Sequence, residues 1–229
     1  MIKDIRHCQF VACMNPTAGS FTIDARLQRH FCVFSVASPS DDTLQRIYNC
    51  IFSEHLNNSA HGFSKEIRSI SSLLVQVGIA LHRRVEYAFL PTAVKFHYLF
   101  NLRDLTSIYQ GLMNSIGSLM GGAAAMLSTG GTVCLKPGDL MRLYVHEAFR
   151  VYHDRLVDQY DIKSFKSSIR DIFKKDFEDF DEDFVFAEPL LYSHFAQSLV
   201  DQKYMALKSW DSLYQLLIEA QGQYNDVVG

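Results

Sequence analysis

No stretch of this sequence reaches the ~18 apolar residues of a membrane span. The nearest, Leu112 to Thr132, is interrupted by Gly, Ser and Asn. The start, Met1 to His7, lacks the apolar segment of a secretory signal, so none is expected. There is no basic stripe either. Lys and Arg number 22 against 25 Asp and Glu, a net charge of −3, and nothing calls for nucleic acid as a partner. Cysteines are five, an odd count with irregular spacing: Cys8, Cys13, Cys32, Cys50 and Cys134. No second Cys or His pair completes a zinc site with Cys8 and Cys13. The expectation is reduced, mostly buried thiols in a cytosolic compartment.

Several familiar chemistries fail on spacing. His146-Glu147 starts like a zinc-protease helix, but Arg150 stands where the second His belongs, and His153 is too far around. Asp179, Asp181 and Asp183 alternate like a calcium loop, but Phe184 replaces the needed glycine. A solvated acidic face is the expectation, and no metal site is expected anywhere. Gly-x-Ser-x-Gly is absent. A phosphate-cradling loop needs Gly-x4-Gly-Lys-Ser/Thr. Gly117 and Gly122 have the glycine spacing, but Ala123 and Ala124 follow.

What is present is enough apolar chain for a folded core: 48% hydrophobic and 21% charged over 229 residues, room for one large domain or two small ones. Residues 9–14 and 31–37 are short apolar runs closed by Asn15-Pro16 and Ser38-Pro39. They read as buried strands. Ser40 or Asp41 can cap a helix running to about Leu56. From Ser64 to about Leu90 the apolar positions Ile67, Ile70, Leu74, Val77, Leu81 and Val85 recur at three and four, one long amphipathic helix. Pro91 breaks it. A further helix starts at Asn101 or Leu102. Residues 115–131, rich in Gly, Ala and Ser, read as a flexible insertion.

Later helices are expected from near Asp139, over 165–177, and around Trp210 to Ala220, with a short strand at 184–186. Two strands followed by helices give an α/β start and a mostly α-helical remainder. Two strands cannot build a parallel sheet covered on both faces. The sheet is therefore expected to continue in chain that this sequence does not contain.

Three segments carry a resemblance. Cys13-Met-Asn-Pro-Thr-Ala-Gly-Ser-Phe-Thr-Ile-Asp-Ala-Arg-Leu-Gln-Arg-His-Phe31 is similar to the third AAA+ module of axonemal dynein heavy chains. So are Phe89-Leu-Pro-Thr-Ala-Val-Lys-Phe-His-Tyr-Leu-Phe-Asn-Leu-Arg-Asp-Leu105 and Pro189-Leu-Leu-Tyr-Ser-His-Phe195. The resemblance implies residues 1–57 as the C-terminal part of an AAA+ large domain. Residues 58–160 would be its helical lid with an insertion at 115–133, and residues 161–229 a connection into the fourth module.

It places Asn15 at sensor 1, orienting the attacking water with an amide that donates and accepts. Arg29 falls at the arginine finger that reaches a neighbouring module's γ-phosphate, with Arg26 as second candidate. Arg103 falls at sensor 2, coupling phosphate state to lid position. The plainer roles are a turn-forming Asn before Pro, two surface arginines (Arg26 also as a structural ion pair), and a salt bridge from Arg103 to Asp104 or another carboxylate.

The implied parent is an ATP-driven, minus-end-directed microtubule motor of the ciliary or flagellar axoneme, a cytoplasmic and cytoskeletal location. It would use ATP or ADP with Mg. Its partners would be the neighbouring AAA+ modules of the same chain, dynein intermediate and light chains, and microtubules, with no nucleic acid and no membrane. The alternatives are a piece of another AAA+ ring ATPase, or a stand-alone helical interaction module without a nucleotide role. With no cradle for the β-phosphate, this chain alone should neither hold nucleotide tightly nor hydrolyse ATP. Turnover by the purified chain above a heat-killed control, with contaminating ATPases excluded, would refute that expectation.

Overall fold

The computed structural model describes residues 7–14, 23–117, 131–196, 199 and 203–228. They fall into two units, residues 1–38 and 39–229, each described by itself.

In the first unit, the described residues are solvent-exposed throughout and include one helical turn, α1 (Ala25–Gln28). Asp24 caps it, accepting from the backbone N–H of Arg26 at 2.8 Å. The two expected strands are not formed: residues 8–14 and 32–38 have no regular structure. Val11 is 88% and Val36 91% exposed. A strand exists only when its N–H and C=O groups meet those of a neighbour, and among the described residues none is offered. The cysteine expectation fails here too. Cys8, Cys13 and Cys32 are exposed, as is Cys50 on the outer side of α2, and only Cys134 is buried.

The second unit is the expected helical body. Helix α2 (Asp41–Asn57) starts at Ser40, whose side chain accepts from the N–H of Thr43. It buries Leu44, Tyr48, Phe52 and Leu56, one residue per turn. The single helix expected over 64–90 is two, α3 (Lys65–Ser69) and α4 (Ser71–Ala88), broken at Ile70. The hydroxyl of Ser69 bonds to the carbonyl of Glu66 at 2.7 Å, a local bond of the kind that competes with helix continuation. The periodicity runs straight through the break, because Ile67 and Leu74 both face the same core.

Helix α5 (Leu102–Leu112) follows, then strand β1 (Ser115–Ile116). Strand β2 (Thr132–Val133) pairs in parallel with β1, so the two ends of the Gly-rich stretch meet side by side. Residues 118–130, the body of the expected flexible insertion, lie outside the described residues. Helices α6 (Pro137–Val151) and α7 (Gln159–Asp176) complete the bundle. The strand expected at 184–186 is instead a helical turn, α8 (Glu182–Val185), because Asp181 caps it by accepting from the N–H of Phe184 at 3.0 Å. Strands β3 (Tyr192–Ser193) and β4 (Met205–Ala206) pair antiparallel, and α9 (Trp210–Val228) ends the described chain with no residue buried.

One core runs through α2, α4, α5, α6 and α7. Phe52, Leu81, Leu105, Tyr144 and Phe165 are among its fully buried side chains. Helix α4 comes close to the tyrosines of α5 and α6 because residue 78 is glycine. A methyl there would overlap the Tyr109 hydroxyl, which donates to the carbonyl of Val75 at 3.3 Å. Among the described residues, no helix is long and apolar enough to cross a membrane.

Two histidines are buried, His82 and His146, and His55 is half-buried. His55 contacts the Ser115 carbonyl at 2.9 Å and His82 the Tyr152 hydroxyl at 2.8 Å, while His146 sits beside Tyr204. Burial lowers the pKa of each from the ordinary 6.5. The unfolded chain therefore takes up protons first as pH falls, and stability present above pH 6.5 is lost below it. Between about pH 7 and about pH 5.5 the urea midpoint should fall, and His82→Gln should flatten that slope. An unchanged midpoint over this range would contradict the assignment.

Candidate functional site

Arg103 occupies the first turn of α5, and its surroundings are set by residues on either side of it. Asn101 caps the helix, its side chain accepting from the N–H of Arg103 at 2.8 Å. Asp104 returns the favour, accepting from the N–H of Asn101 at 2.8 Å. This reciprocal box fixes where the helix begins. It also fixes which way residue 103 faces, which is outward: Arg103 is exposed.

The salt bridge to Asp104, the plainer role for Arg103, is not made. Asp104 belongs to Arg155, which donates from Nη1 to Oδ1 at 2.9 Å. Arg155 also donates from Nη2 to the carbonyls of His97 and Leu99, at 3.1 and 2.9 Å, and lies 4.7 Å from the centre of the Phe100 ring. A planar guanidinium suits this fork of acceptors with a ring beneath it. Among the described residues Arg103 itself has no ion pair and no side-chain hydrogen bond. Its backbone N–H and carbonyl alone are engaged, with Asn101 and Ser107.

The loop before α5, residues 89–101, is anchored a second time. Lys95 bonds to Asp161 at 2.5 Å and to Asp158 at 3.2 Å. The Tyr98 hydroxyl donates to Asp161 at 2.9 Å and accepts from the N–H of Val157 at 3.1 Å. Tyr98 is fully buried. Residues 95–104 are thus tied to 155–161, the segment between α6 and α7 together with the start of α7. A load on Arg103 would be carried into the bundle rather than dissipated in a loose loop.

The finger candidates lie in the first unit. Arg26 is inside α1 and Arg29 is at its C-cap. Three residues apart on one turn, they lie on the same side. Both are exposed and neither meets a carboxylate among the described residues. The Nε of Arg29 is 3.4 Å from Nε2 of its neighbour His30. Asn15 lies outside the described residues. The structural ion pair considered for Arg26 is not formed among the described residues.

A second polar constellation was missed by sequence reasoning, though its members stood in view as the failed zinc motif. Glu147 and His146, both on α6, are buried at 1% and 3% exposure. Oε2 of Glu147 accepts from Nε and Nη2 of Arg150 at 2.9 and 2.8 Å. Oε1 of Glu147 accepts from the hydroxyl of Tyr204. With Tyr204 donating to Glu147, its oxygen accepts from Nε2–H of His146 at 3.1 Å. No group of three or more metal-ligating side chains occurs among the described residues.

Cationic side chains without carboxylate partners suit a phosphate held by other residues, not a cradle of their own.

The sequence matches two family models: one described as an AAA+ lid domain over residues 74–187, and one described as a P-loop containing dynein motor region over residues 1–39. Among curated proteins it is similar to the ciliary dynein beta chain of Tripneustes gratilla, 43% identical over 226 residues. It is 46% identical to human dynein axonemal heavy chain 17, also over 226 residues. Each alignment takes in 99% of this chain and 5% of the relative. The flagellar outer-arm dynein alpha chain of Chlamydomonas reinhardtii is 37% identical over 228 residues, 98% of this chain and 5% of the relative. The chain thus spans 5% of the length of these relatives.

Proposed function

The chain belongs to the axonemal dynein heavy chain family, and from that premise we propose that it is a nucleotide-sensing part of the heavy chain's AAA+ ring. In this reading residues 1–57 end the large domain of the third module, 58–160 form its lid, and 161–229 lead toward the fourth. The whole heavy chain is then an ATP-driven, minus-end-directed microtubule motor of the ciliary or flagellar axoneme. It binds ATP or ADP with Mg, and it works with neighbouring modules, intermediate and light chains, and microtubules.

The observation that carries the reading is Arg103. Its guanidinium is exposed and unpaired among the described residues, while the carboxylate next to it is engaged by Arg155. With no carboxylate holding it among the described residues, the cation is available for a phosphate. In the proposed cycle Arg103 meets the γ-phosphate of its own module's nucleotide as the lid closes. The doubly anchored segment 95–104 moves with α5, and nucleotide state becomes lid position. Asn15 acts as sensor 1, aligning the attacking water. Arg29 acts across the module boundary on the preceding nucleotide, with Arg26 next in line.

In a full-length heavy chain, Arg103→Ala should leave nucleotide affinity near the wild-type value and weaken the response of ring shape and motility to nucleotide. Equal motility and equal lid position in mutant and wild type would reject the assignment.

Arg29→Ala should disturb the nucleotide site of the preceding module and spare this module's own. Arginine fingers in GTPases are worth about 10³–10⁵ in rate, or roughly 4–7 kcal/mol. That is a ceiling for a site that only holds nucleotide. Lys should rescue little, since it lacks the planar fork. A ring structure with the Arg29 guanidinium paired to a carboxylate of its own module in every nucleotide state would refute the finger role.

A further inference from the structure

The helix that carries Arg103 ends against a buried carboxylate. Gly111 is eight residues further along α5, about 12 Å at 1.5 Å per residue. A methyl at Gly111 would overlap the carboxyl carbon of Glu147 and both of its oxygens. The carboxylate therefore sits directly against the backbone of α5. On its other side it holds the hydroxyl of Tyr204. Tyr204 lies just before β4, in the strap made by β3 and β4.

Among the described residues the strap is also held at other points: Thr132 on β2 donates to the carbonyl of Tyr204 at 2.5 Å, Arg142 donates from Nη2 to the carbonyl of Pro189 at 3.0 Å, and Tyr192 packs into the core. Beyond it runs α9, with no residue buried.

We propose that Glu147 is a latch between α5 and the β3–β4 strap: the position of α5 sets where the carboxylate lies, and the carboxylate sets whether Tyr204 can bond to it. The proposal rests on the reading of Arg103 as the nucleotide sensor only for what moves α5. The contacts of Glu147 with Gly111 and Tyr204 stand without nucleotide.

The carboxylate is 1% exposed, so it has no water to fall back on. An unpaired charge there is costly, so the group must keep both Arg150 and Tyr204 or move to recover them. Its aliphatic stem is flexible, but Gly111 occupies the space on one side and Arg150 fixes the other oxygen. A shift of α5 toward α6 displaces the carboxylate, and the bond to Tyr204, which lies on the strap and on neither helix, is the one that gives. His146, which donates to the Tyr204 oxygen, would lose its acceptor geometry at the same time. Two packed arrangements with a satisfied or broken Tyr204 bond make a two-state element of the kind that can carry coupling between sites.

The test is a double-substitution cycle in this chain, read by amide hydrogen exchange. Gly111→Ala pushes on the carboxylate from α5. Tyr204→Phe removes the hydroxyl from the strap. Coupling is reciprocal. Gly111→Ala should therefore speed exchange at residues 205–207, and Tyr204→Phe should speed it at residues 109–113. Each effect should be roughly tenfold to a hundredfold, the range for a buried group losing its partner. The double variant should exchange no faster than the faster single one.

Effects confined to the substituted element, or factors that multiply in the double variant, would overturn the latch. Should Gly111→Ala fail to fold, Glu147→Gln takes its place in the cycle: it frees Arg150 and loosens the group's hold on α5, with the same two outcomes at stake. No nucleotide enters the measurement. Multiplying factors therefore remove the latch and leave the Arg103 reading untouched, while a silent Arg103→Ala ring would remove that reading and not the latch.

Discussion

Arg155 holds together the region on which the proposed function turns. One guanidinium meets a carboxylate, two backbone carbonyls and an aromatic face, drawn from residues 97 to 104. The carbonyls of His97 and Leu99 belong to a loop without regular structure, and the guanidinium ties them to the segment after α6. An arginine can bind them all at once because its donors lie in a fixed plane. By engaging Asp104, Arg155 leaves the adjacent Arg103 without its nearest carboxylate.

The body behind this loop is packed with aromatic side chains, and several carry polar atoms into the interior. Tyr98, Tyr109, Tyr152 and Tyr204 each find an acceptor or donor there. Burial pushes the Tyr109 and Tyr152 hydroxyls well above their ordinary pKa, so they stay protonated and serve as donors. Glu147 is the extreme case, a charge placed between two helices and a strap. Replacing such groups by apolar ones can stabilise a fold, whereas removing one partner costs about 3–5 kcal/mol. A buried carboxylate with two partners is therefore weak evidence for stability and better evidence for a defined arrangement of the elements it touches.

The helices were legible in the sequence wherever the signal is local. Ser40 and Asn101 cap helices at the expected places, and the apolar spacing in 41–57 and 137–151 marks the faces that are buried. Strands and helix breaks are less legible, for definite reasons. Residues 184–186 have strand-like side chains, but Asp181 three residues before Phe184 closes a helical turn. Ile70 keeps the helical period across a break because both flanking helices face one core. The apolar runs at 9–14 and 31–37 announce burial, and a run announces burial without supplying the neighbour that buries it.

By itself, then, the sequence determined the helical body, its caps and the family. These depend on residues within a turn or two of one another, or on short motifs. Tertiary structure alone decided that Asp104 pairs with Arg155, 51 residues away, and that the Glu147 carboxylate meets Tyr204, 57 residues away. It decided as well that His146 and Glu147, spaced like the start of a metal site, form a buried hydrogen-bonded chain instead. Charge and spacing limit what a side chain can do. Its partner is settled only when the helices pack and water is excluded, because a buried charge must then take whichever donor the fold places against it.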